Sequence, residues 1–429
     1  MSIQTETLSF DPDALALKYR QERDKRVRVD GNDQYQEVVG EFAYFVEDPY
    51  IDETLKRDPL LEEVEVVIIG GGFGGLLAAA RLREAGIHDF RIIEKGGDFG
   101  GTWYWNRYPG ASCDIESYVY FPLLEKTEFV PKQKYTNAPE TLEYCHEIAT
   151  HYELYENALL QTEVRATDWD EDLGRWIVTT NRQDAIKARF VVHSNGPLNR
   201  PKLPAIKGIN DFKGHTFHTS RWDYNYTGGS ALGNLVNLAD KRVAVIGTGA
   251  TAVQCVPHLG AAAEALYVFQ RTPSSIDVRN NQPTDPAWMA AQKPGWQDDR
   301  RKNFESIMTG AVVKEDLVSD GWTEAFRLLF GSIREKAPSK LRLLSWAVTG
   351  LVAKKRYELG LKEYLTHKAA VHMDLTRALE LADFQKMEKV RARADSVVED
   401  PETAEALKPY YRQFCKRPCF HDEYLPTFN

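Results

Sequence analysis

Two glycine-rich segments with similar spacing occur in this chain of 429 residues. The first reads Gly-Gly-Gly-Phe-Gly-Gly over residues 70–75, and the second reads Gly-Thr-Gly-Ala-Thr-Ala over residues 247–252. A charged residue follows the first glycine of each segment by 24 positions (94 − 70 and 271 − 247). This residue is Glu94 for the first segment and Arg271 for the second. Small residues at this spacing let the pyrophosphate of a dinucleotide approach backbone N–H groups at the start of a helix. Both segments are therefore predicted to bind a dinucleotide.

The charge that follows each segment predicts which dinucleotide it binds. A carboxylate such as Glu94 accepts hydrogen bonds from the hydroxyls of an unmodified adenosine ribose, whereas a cation such as Arg271 binds a 2′-phosphate. The first segment is thus predicted to bind FAD or NAD, and the second to bind NADP(H). A chain with both sites is predicted to pass electrons from one cofactor to the other.

The same order of elements must position each segment. Short apolar runs at 64–69 and 243–246 predict buried parallel strands, and each run leads through its glycines into a helix, at 76–82 and 250–259. Further strands at 90–93 and 265–269 then deliver Glu94 and Arg271. The predicted fold class is α/β, with two Rossmann-like dinucleotide-binding domains, for FAD and NADP, of the three-layer ββα/αβα type.

Composition changes along the chain predict the domain limits. Residues 1–60 form a charged N-terminal extension, in which 15–28 is predicted to be an exposed helix. Prolines at 197, 201 and 204 predict a domain crossing, because proline at this density ends regular structure. The predicted FAD domain is therefore 61–199 and the NADP domain 200–429, with a helical insertion at about 280–395.

Overall composition excludes several classes of function. Lys and Arg total 54 against 63 Asp and Glu, a net charge of −9, which disfavours general nucleic-acid binding. Five cysteines without a C-x-x-C pair predict neither a disulfide framework nor a metal site. No signal peptide is recognisable, and the uncharged stretch 343–353 is too short to span a bilayer. A cytoplasmic protein without a membrane span is predicted, and its oligomeric state stays open.

Two further segments carry more specific information. Residues 100–110 place three consecutive aromatic residues, at 103–105, among glycines, which fits either a buried aromatic loop or a wall over an isoalloxazine ring. Residues 212–223 fit the pattern F-x-G-x-x-x-H-x-x-x-W-D, with His218 at its centre, just before the second glycine segment. Alone, His218 would more often be a hydrogen-bonded structural histidine than a catalyst. Together, pattern and position resemble the signature of the Baeyer–Villiger monooxygenases, within the flavin-containing monooxygenase superfamily.

The resemblance extends from about Leu15 to Asn429 and implies two bound cofactors, FAD and NADP(H). Toward FAD it implies roles for Gly70, Gly72, Gly74, Gly75, Glu94, Thr102, Trp103, Tyr104, Trp105, Asp114 and Tyr120. Toward NADP(H) it implies roles for Gly247, Thr248, Gly249, Ala250, Thr251, Ala252, Val253, Gln270, Arg271, Thr272 and Lys416.

The resemblance also implies the catalytic residues. Lys416 and Arg417 lie in a Lys-Arg-Pro element near the end of the chain, which without the family pattern would be interpreted as exposed charge. Lys416 becomes a second cation for the 2′-phosphate, and Arg417 becomes the active-site arginine at the flavin, oriented by Asp114. His218 is assigned to domain motion or NADP positioning. Ser112 stands where many relatives have arginine, which leaves a contact to the nicotinamide side open.

The implied activity is that of an NADPH- and O₂-dependent FAD monooxygenase, which converts ketones to esters or lactones through a C4a-peroxyflavin. An N- or S-oxygenating flavin monooxygenase is one alternative. Because relatives continue well beyond Asn429, the resemblance also implies a chain that is incomplete at its C-terminus. The other alternative is therefore an inactive or nucleotide-binding-only fragment. The partners expected are O₂ and a small ketone whose structure stays open.

Overall fold

The secondary structure was obtained from a computed structural model, which describes residues 10–336 and 368–429. Within these ranges the strands are β1 (Tyr35–Gln36), β2 (Glu63–Ile69), β3 (Phe90–Ile93), β4 (Ala158–Leu159), β5 (Val164–Asp170), β6 (Arg175–Thr180), β7 (Ala185–His193), β8 (Leu203–Pro204), β9 (Arg242–Ile246), β10 (Ala265–Phe269), β11 (Ile276–Asp277) and β12 (Cys419–Phe420). The helices are α1 (Pro12–Asp24), α2 (Phe73–Glu84), α3 (Thr102–Trp105), α4 (Ser117–Tyr120), α5 (Leu124–Thr127), α6 (Ala138–His151), α7 (Tyr224–Thr227), α8 (Ala250–Ala262), α9 (Pro286–Ala290), α10 (Trp296–Met308), α11 (Gly321–Lys336), α12 (Lys368–Val397) and α13 (Pro401–Ala406).

The first glycine segment lies at the end of the central strand of a six-stranded sheet. The strand order is β4-β3-β2-β7-β6-β5; β2 pairs in parallel with β3 and β7, and β6 runs antiparallel to β5 and β7. Hydrophobic clusters cover β2 on both faces: Ile68 packs with Leu76 of α2, while Val67 packs with Ile186. This two-sided burial explains why the strand is a continuous apolar run without polar alternation.

Helix α2 follows the glycines because they allow its first turn to approach the strand closely. Gly70 has φ 108°, in the region that favours glycine. A Cβ on Gly75 would lie 1.9 Å from the Gly70 carbonyl oxygen, so no side chain fits there. The helix ends at Glu84, followed by Gly86 at φ 75°. The predicted strand, helix and second strand of this unit are confirmed.

The second unit repeats the plan. Strands β9 and β10 are parallel, with Val243 opposite Leu266 and Ile246 opposite Phe269, and α8 connects them. The predicted bounds agree closely with those observed, and the helix extends three residues beyond the predicted Leu259, to Ala262. The α/β fold class with two such units is confirmed.

The N-terminal helix differs from the prediction. It ends at Asp24 instead of Arg28, and one of its faces is buried: Leu15 and Tyr19 pack with Phe384 of α12. The expectation of an exposed helix is wrong for this face. A single apolar residue in each turn is enough for α1 to pack against α12, which is distant in sequence.

Some predictions concern features that the structure does not describe or test. The uncharged stretch 343–353 lies outside the described residues, as do residues 1–9. Helices α9, α10, α11 and most of α12 lie within the helical insertion predicted at 280–395, while the domain limits themselves stay predictions. Among helices in the described ranges, none has the length and apolar character needed to cross a membrane.

Candidate functional site

The first glycine segment forms one wall of a cleft of about 540 Å³, a volume in the range of small-molecule sites. Strand β2 ends at its floor, and α2 begins there. Of the residues predicted to bind FAD, those that line the cleft are Gly70, Gly72, Gly74, Glu94, Thr102, Trp103, Trp105 and Tyr120. Gly75 lies beneath the cleft, at the contact between α2 and β2.

Backbone segments approach each other closely around this cleft. A Cβ on Gly101 would lie 2.7 Å from the Cα of Gly72, and a Cβ on Gly70 would lie 2.7 Å from the carbonyl oxygen of Ser194. Gly101 also has φ 53°. Side chains at these positions would move the walls apart, so the glycines set the shape of the cleft.

Glu94 is held by the backbone of its own surroundings. The side chain is 5% exposed, and its carboxylate accepts hydrogen bonds from the N–H of Gly71 at 2.6 Å and of Gly96 at 2.7 Å. Burial raises the pKa of the Glu94 carboxyl, although these two donors oppose the shift. The residue is thereby fixed at the end of β3, where a ribose hydroxyl would need its acceptor.

The aromatic segment of α3 divides between the cleft and the core. Trp103 Nε1 donates to the hydroxyl of Tyr120 at 3.1 Å, and both rings line the cleft. Tyr104 is directed elsewhere: its hydroxyl donates to Asp48 Oδ2 at 2.7 Å. Residues 102–105 were predicted to border the flavin, and all of them except Tyr104 line the cleft. Tyr104 faces away because successive residues of a helical turn lie on different sides of the helix.

Arg417 and Asp114, which are 303 positions apart in the chain, form an ion pair. Nη2 of Arg417 donates to both oxygens of Asp114, at 2.6 and 2.8 Å. Burial alone would lower the pKa of Arg417, but the Asp114 carboxylate outweighs it and the pKa is raised. The guanidinium side chain is 55% exposed, against 15% for Asp114. The structure thus brings two of the three predicted catalytic residues together, without His218, and both lie outside the set that lines the 540 Å³ cleft.

Arg279 is a neighbour of this pair that the sequence analysis missed. Its Nη2 donates to the carbonyl oxygen of Cys113 at 2.6 Å, and its guanidinium lies 5.3 Å from the Tyr135 ring centroid. Burial lowers the pKa of Arg279, while Asp114 is close enough to oppose that shift. Arg279 follows β11, which pairs with β12 just beyond Arg417. Only this strand pairing, which no motif indicates, could have revealed it.

The turn of the second glycine segment has free space around its backbone, and the helix that follows it packs into the core. A Cβ on Gly247 or Gly249 would meet nothing within 4 Å. The start of α8 turns Ala252 and Val253 into the core. Of the residues predicted for the pyrophosphate loop, Gly247, Thr248 and Gly249 form the turn, whereas Ala250 and Thr251 begin the helix and are only partly buried.

Polar contacts join the end of β10 to the C-terminal segment. The hydroxyl of Thr248 donates to the carbonyl oxygen of Thr272 at 2.6 Å, and Lys416 Nζ donates to the same oxygen at 3.0 Å. The Arg271 guanidinium donates to Gln34 Oε1. Gln270 instead donates to the carbonyl oxygen of Ala406 at 2.7 Å. Burial, and then the nearby charge of Arg271, lower the pKa of Lys416, so the two cations predicted for a 2′-phosphate lie near each other.

His218 has the geometry of a structural residue. Its Nδ1 accepts a hydrogen bond from the N–H of Ser220 at 3.1 Å and caps the turn 219–221. Burial, together with the charge of Arg221, lowers the pKa of His218 to about 4, so the imidazole is neutral near pH 7. Arg221 in turn lies 4.0 Å from the Trp105 ring centroid at the cleft. The predicted role of His218 in domain motion or NADP positioning stays a prediction.

Side-chain hydrogen bonds connect the two units near the cleft. The hydroxyl of Tyr108 donates to Gln254 Oε1 at 2.8 Å, and Gln254 Nε2 donates to the carbonyl oxygen of Ser112 at 3.0 Å. A Cβ on Gly110 would lie 2.4 Å from the carbonyl oxygen of Gln254. Ser112, which was singled out as a departure from the family pattern, is thus in contact with α8.

Comparison with known proteins gives consistent matches over most of the chain. A family model described as pyridine nucleotide-disulphide oxidoreductase matches residues 67–287. Baeyer-Villiger monooxygenase ATR8 of Stachybotrys chlorohalonatus is 51% identical over 99% of this chain and 64% of its own length. Among solved structures, a polycyclic ketone monooxygenase from Thermothelomyces thermophila aligns with TM-score 0.82 and 40% identity, over 97% of this chain and 66% of that one. OTEMO in complex with FAD and NADP aligns with TM-score 0.60 and 26% identity, over 87% and 65%. The chain thus spans slightly less than two thirds of the length of these relatives.

Proposed function

Because this chain belongs to the pyridine nucleotide-disulphide oxidoreductase family and, within it, to the Baeyer–Villiger monooxygenases, we propose that it acts as an NADPH- and FAD-dependent ketone monooxygenase. The substrates proposed are O₂ and a small ketone, and the products an ester or lactone. The single observation that carries the proposal is the ion pair of Arg417 with Asp114, in which a carboxylate of the first unit holds a cation of the C-terminal segment.

The first cleft fits the adenosine diphosphate portion of FAD. Gly72 and Gly101 leave backbone exposed where a Cβ would intrude, which suits a pyrophosphate at the start of α2. Glu94, at the end of β3, offers the acceptor that a ribose without a 2′-phosphate requires. Trp103, Trp105 and Tyr120 supply an aromatic boundary for the ring system.

The second segment fits NADP(H) better than NAD(H). Arg271 and Lys416 place two positive charges at the end of β10, where a 2′-phosphate would lie, and no backbone or side-chain atom of the described residues obstructs the turn at Gly247 and Gly249. When bound, FAD would accept a hydride from NADPH and activate O₂, while the protein would bind the cofactors and provide the electrostatic environment.

Arg417 is proposed to stabilise the negative charge that develops when oxygen is inserted next to a ketone carbonyl. Arginine stays charged at all relevant pH values and offers several donors in a fixed plane. Asp114 anchors one end of the guanidinium through Nη2, so the remaining donors stay available. Such a fixed donor acts without reorganisation during the reaction. Asp114 is therefore a positioning residue in this scheme.

A cytoplasmic location and the domain limits 61–199 and 200–429 belong to the same proposal. The five cysteines are unpaired, and four of them, Cys113, Cys145, Cys255 and Cys419, are completely or nearly completely buried as thiols. Unpaired buried thiols are typical of proteins that function in a reducing compartment.

Substitution of Arg417 tests the proposal. In the full-length holoenzyme, Arg417→Ala is expected to keep its flavin and to lower ester formation from a ketone by at least about 10²- to 10³-fold, the usual effect of removing one such donor. Arg417→Lys serves as the charge-conserving control. Product analysis with a ketone and a thioether distinguishes ketone oxygenation from N- or S-oxygenation. Normal ester formation by Arg417→Ala would refute the assignment.

A further inference from the structure

A third cation approaches the second glycine segment from the N-terminal helix. Nε of Arg26 donates to the carbonyl oxygen of Arg271 at 2.8 Å, across 245 positions of sequence. Arg26 follows α1, and its side chain is 27% exposed. The N-terminal segment therefore reaches the loop of Arg271, which Lys416 of the C-terminal segment also contacts through the Thr272 carbonyl oxygen.

Arg26 is held rigidly in this place. Its Nη1 donates to Oε2 and to the backbone carbonyl oxygen of Glu22, both at 2.6 Å. Hydrogen bonds, above all from Lys25 and also from Arg26, lower the pKa of Glu22 to about 2, so this carboxylate stays ionised. Nη2 of Arg26 donates to no partner among residues 10–336 and 368–429. One end of the guanidinium is thus anchored, and the other is available to a ligand.

Helix α1, which ends two residues before Arg26, is itself fastened to α12. Leu15 and Tyr19 pack with Phe384, and Arg391 donates to the Tyr19 hydroxyl at 3.0 Å. A side chain directly after a docked helix loses less conformational freedom on binding than one on a mobile arm. Arg26 is accordingly pre-positioned at the loop.

The positive charges at this loop are only partly compensated. Lys416 donates to a backbone carbonyl and Arg271 to the Gln34 amide oxygen, which are both neutral acceptors. Burial lowers the pKa of Lys416, and the charges of Arg271 and Arg26 lower it further. Asp30, which also lies near Arg271, is paired with Arg28. A multiply charged anion would satisfy this cluster.

We propose that Arg26 is a third cation of the 2′-phosphate site and a determinant of the preference for NADP(H) over NAD(H). This inference rests on the proposed binding of NADP(H) at the second glycine segment. It adds a residue from outside both dinucleotide-binding units, and it gives the N-terminal helix a function in cofactor selection.

Binding of two adenosine nucleotides to the full-length holoenzyme tests the proposal. Isothermal titration calorimetry with 2′,5′-ADP and with 5′-ADP separates the 2′-phosphate from the rest of the ligand. For Arg26→Gln we expect the Kd of 2′,5′-ADP to rise about tenfold, the effect of losing one charge-assisted hydrogen bond, and the Kd of 5′-ADP to change less than about twofold. Arg26→Lys is expected to retain part of the preference.

Arg23→Gln is the matched control, because it removes one positive charge from the last turn of α1, three residues before Arg26. The Arg23 side chain is 64% exposed and pairs with Asp24, so its loss should leave both Kd values within about twofold. If Arg26→Gln keeps the wild-type preference, or weakens both nucleotides equally, the role of Arg26 is refuted while the NADP(H) site stands. If the wild type itself shows no preference for 2′,5′-ADP, the proposed site fails, and the role of Arg26 with it.

Discussion

Asp383 lies beneath the N-terminal helix in a position that makes its charge unfavourable. Its Oδ1 accepts a hydrogen bond from the N–H of Gln413 at 2.7 Å, but Oδ2 is buried without a partner among the described residues. Burial raises the pKa of Asp383 from 3.8 to about 6, and the lowering effects of Arg412 and Arg391 do not offset it. We therefore predict that Asp383→Asn stabilises the protein near neutral pH.

The magnitude follows from proton linkage. Because the pKa of Asp383 is higher in the folded state, the native protein binds more protons than the unfolded chain between about pH 4 and 6. The protonated Asp383 side chain contributes favourably to the stability of the folded state. This contribution is complete below the pKa of the unfolded chain and is lost as the pH rises through the pKa of the folded state. With one pKa unit worth about 1.36 kcal/mol, the raised pKa of Asp383 costs about 3 kcal/mol of stability at pH 7, where the carboxylate is ionised, and about half of that at pH 5, where the folded protein must take up the proton.

Urea unfolding of the full-length protein at pH 7 and pH 5 measures this cost. Asp383→Asn should raise the free energy of unfolding by up to about 3 kcal/mol at pH 7, with about half that gain at pH 5. Asp172→Asn, at an exposed position, should change it at neither pH by more than about 0.5 kcal/mol. A variant that is no more stable than the wild type at pH 7, or a gain that does not shrink at pH 5, would refute the reasoning.

Three further substitutions test the first cleft and the ion pair. In Glu94→Gln, an amide NH₂ group would face one of the two backbone N–H groups, of Gly71 and Gly96, that now donate to the carboxylate. We therefore expect the free energy of unfolding to fall by about 1–3 kcal/mol and the flavin content after gel filtration to be reduced. Gly75→Ala places a Cβ 1.9 Å from the Gly70 carbonyl oxygen, which should displace α2 and abolish flavin retention, measured by absorbance. Asp114→Asn should keep the flavin but lower ester yield per NADPH about five- to tenfold, with more hydrogen peroxide, because a half-exposed charged hydrogen bond contributes only about 1 kcal/mol.

Matched variants separate these effects from general damage. Gly249→Ala introduces a Cβ that meets nothing within 4 Å, so its flavin content should equal that of the wild type. Glu143→Gln, on the exposed side of α6, should leave stability unchanged. Full flavin retention in Gly75→Ala or Glu94→Gln would contradict the close backbone packing that defines the cleft, and unchanged coupling in Asp114→Asn would argue against its positioning role.

The parts of the fold that sequence alone predicted are those set by local chemistry. The strand at 64–69 and the helix that follows it are encoded by a short apolar run and by glycines that permit a close turn. The antiparallel strands β5 and β6 were not predicted, because more and less buried residues do not alternate cleanly along them.

The candidate site was predictable to a similar extent. Glycines and Glu94 indicate the first cleft through spacing, whereas the contact of Arg417 with Asp114 depends on the family resemblance, since 303 positions separate the two residues. Arg279 and Arg26 carry no motif. Each reaches its site through tertiary packing, which periodicity does not encode. The side of α3 on which Tyr104 lies was likewise decided by its hydrogen bond to Asp48.

The contact between the loop at Gly110 and helix α8 has a mechanical consequence. Here backbone meets backbone, and the side chain of Gln254 bonds to Tyr108 on one side and to Ser112 on the other. The same helix begins at the second glycine segment, about one turn earlier. A rotation that separates this loop from α8 must break both of these hydrogen bonds. Gln254 therefore couples the loop of the first unit to the helix on which the second nucleotide segment lies.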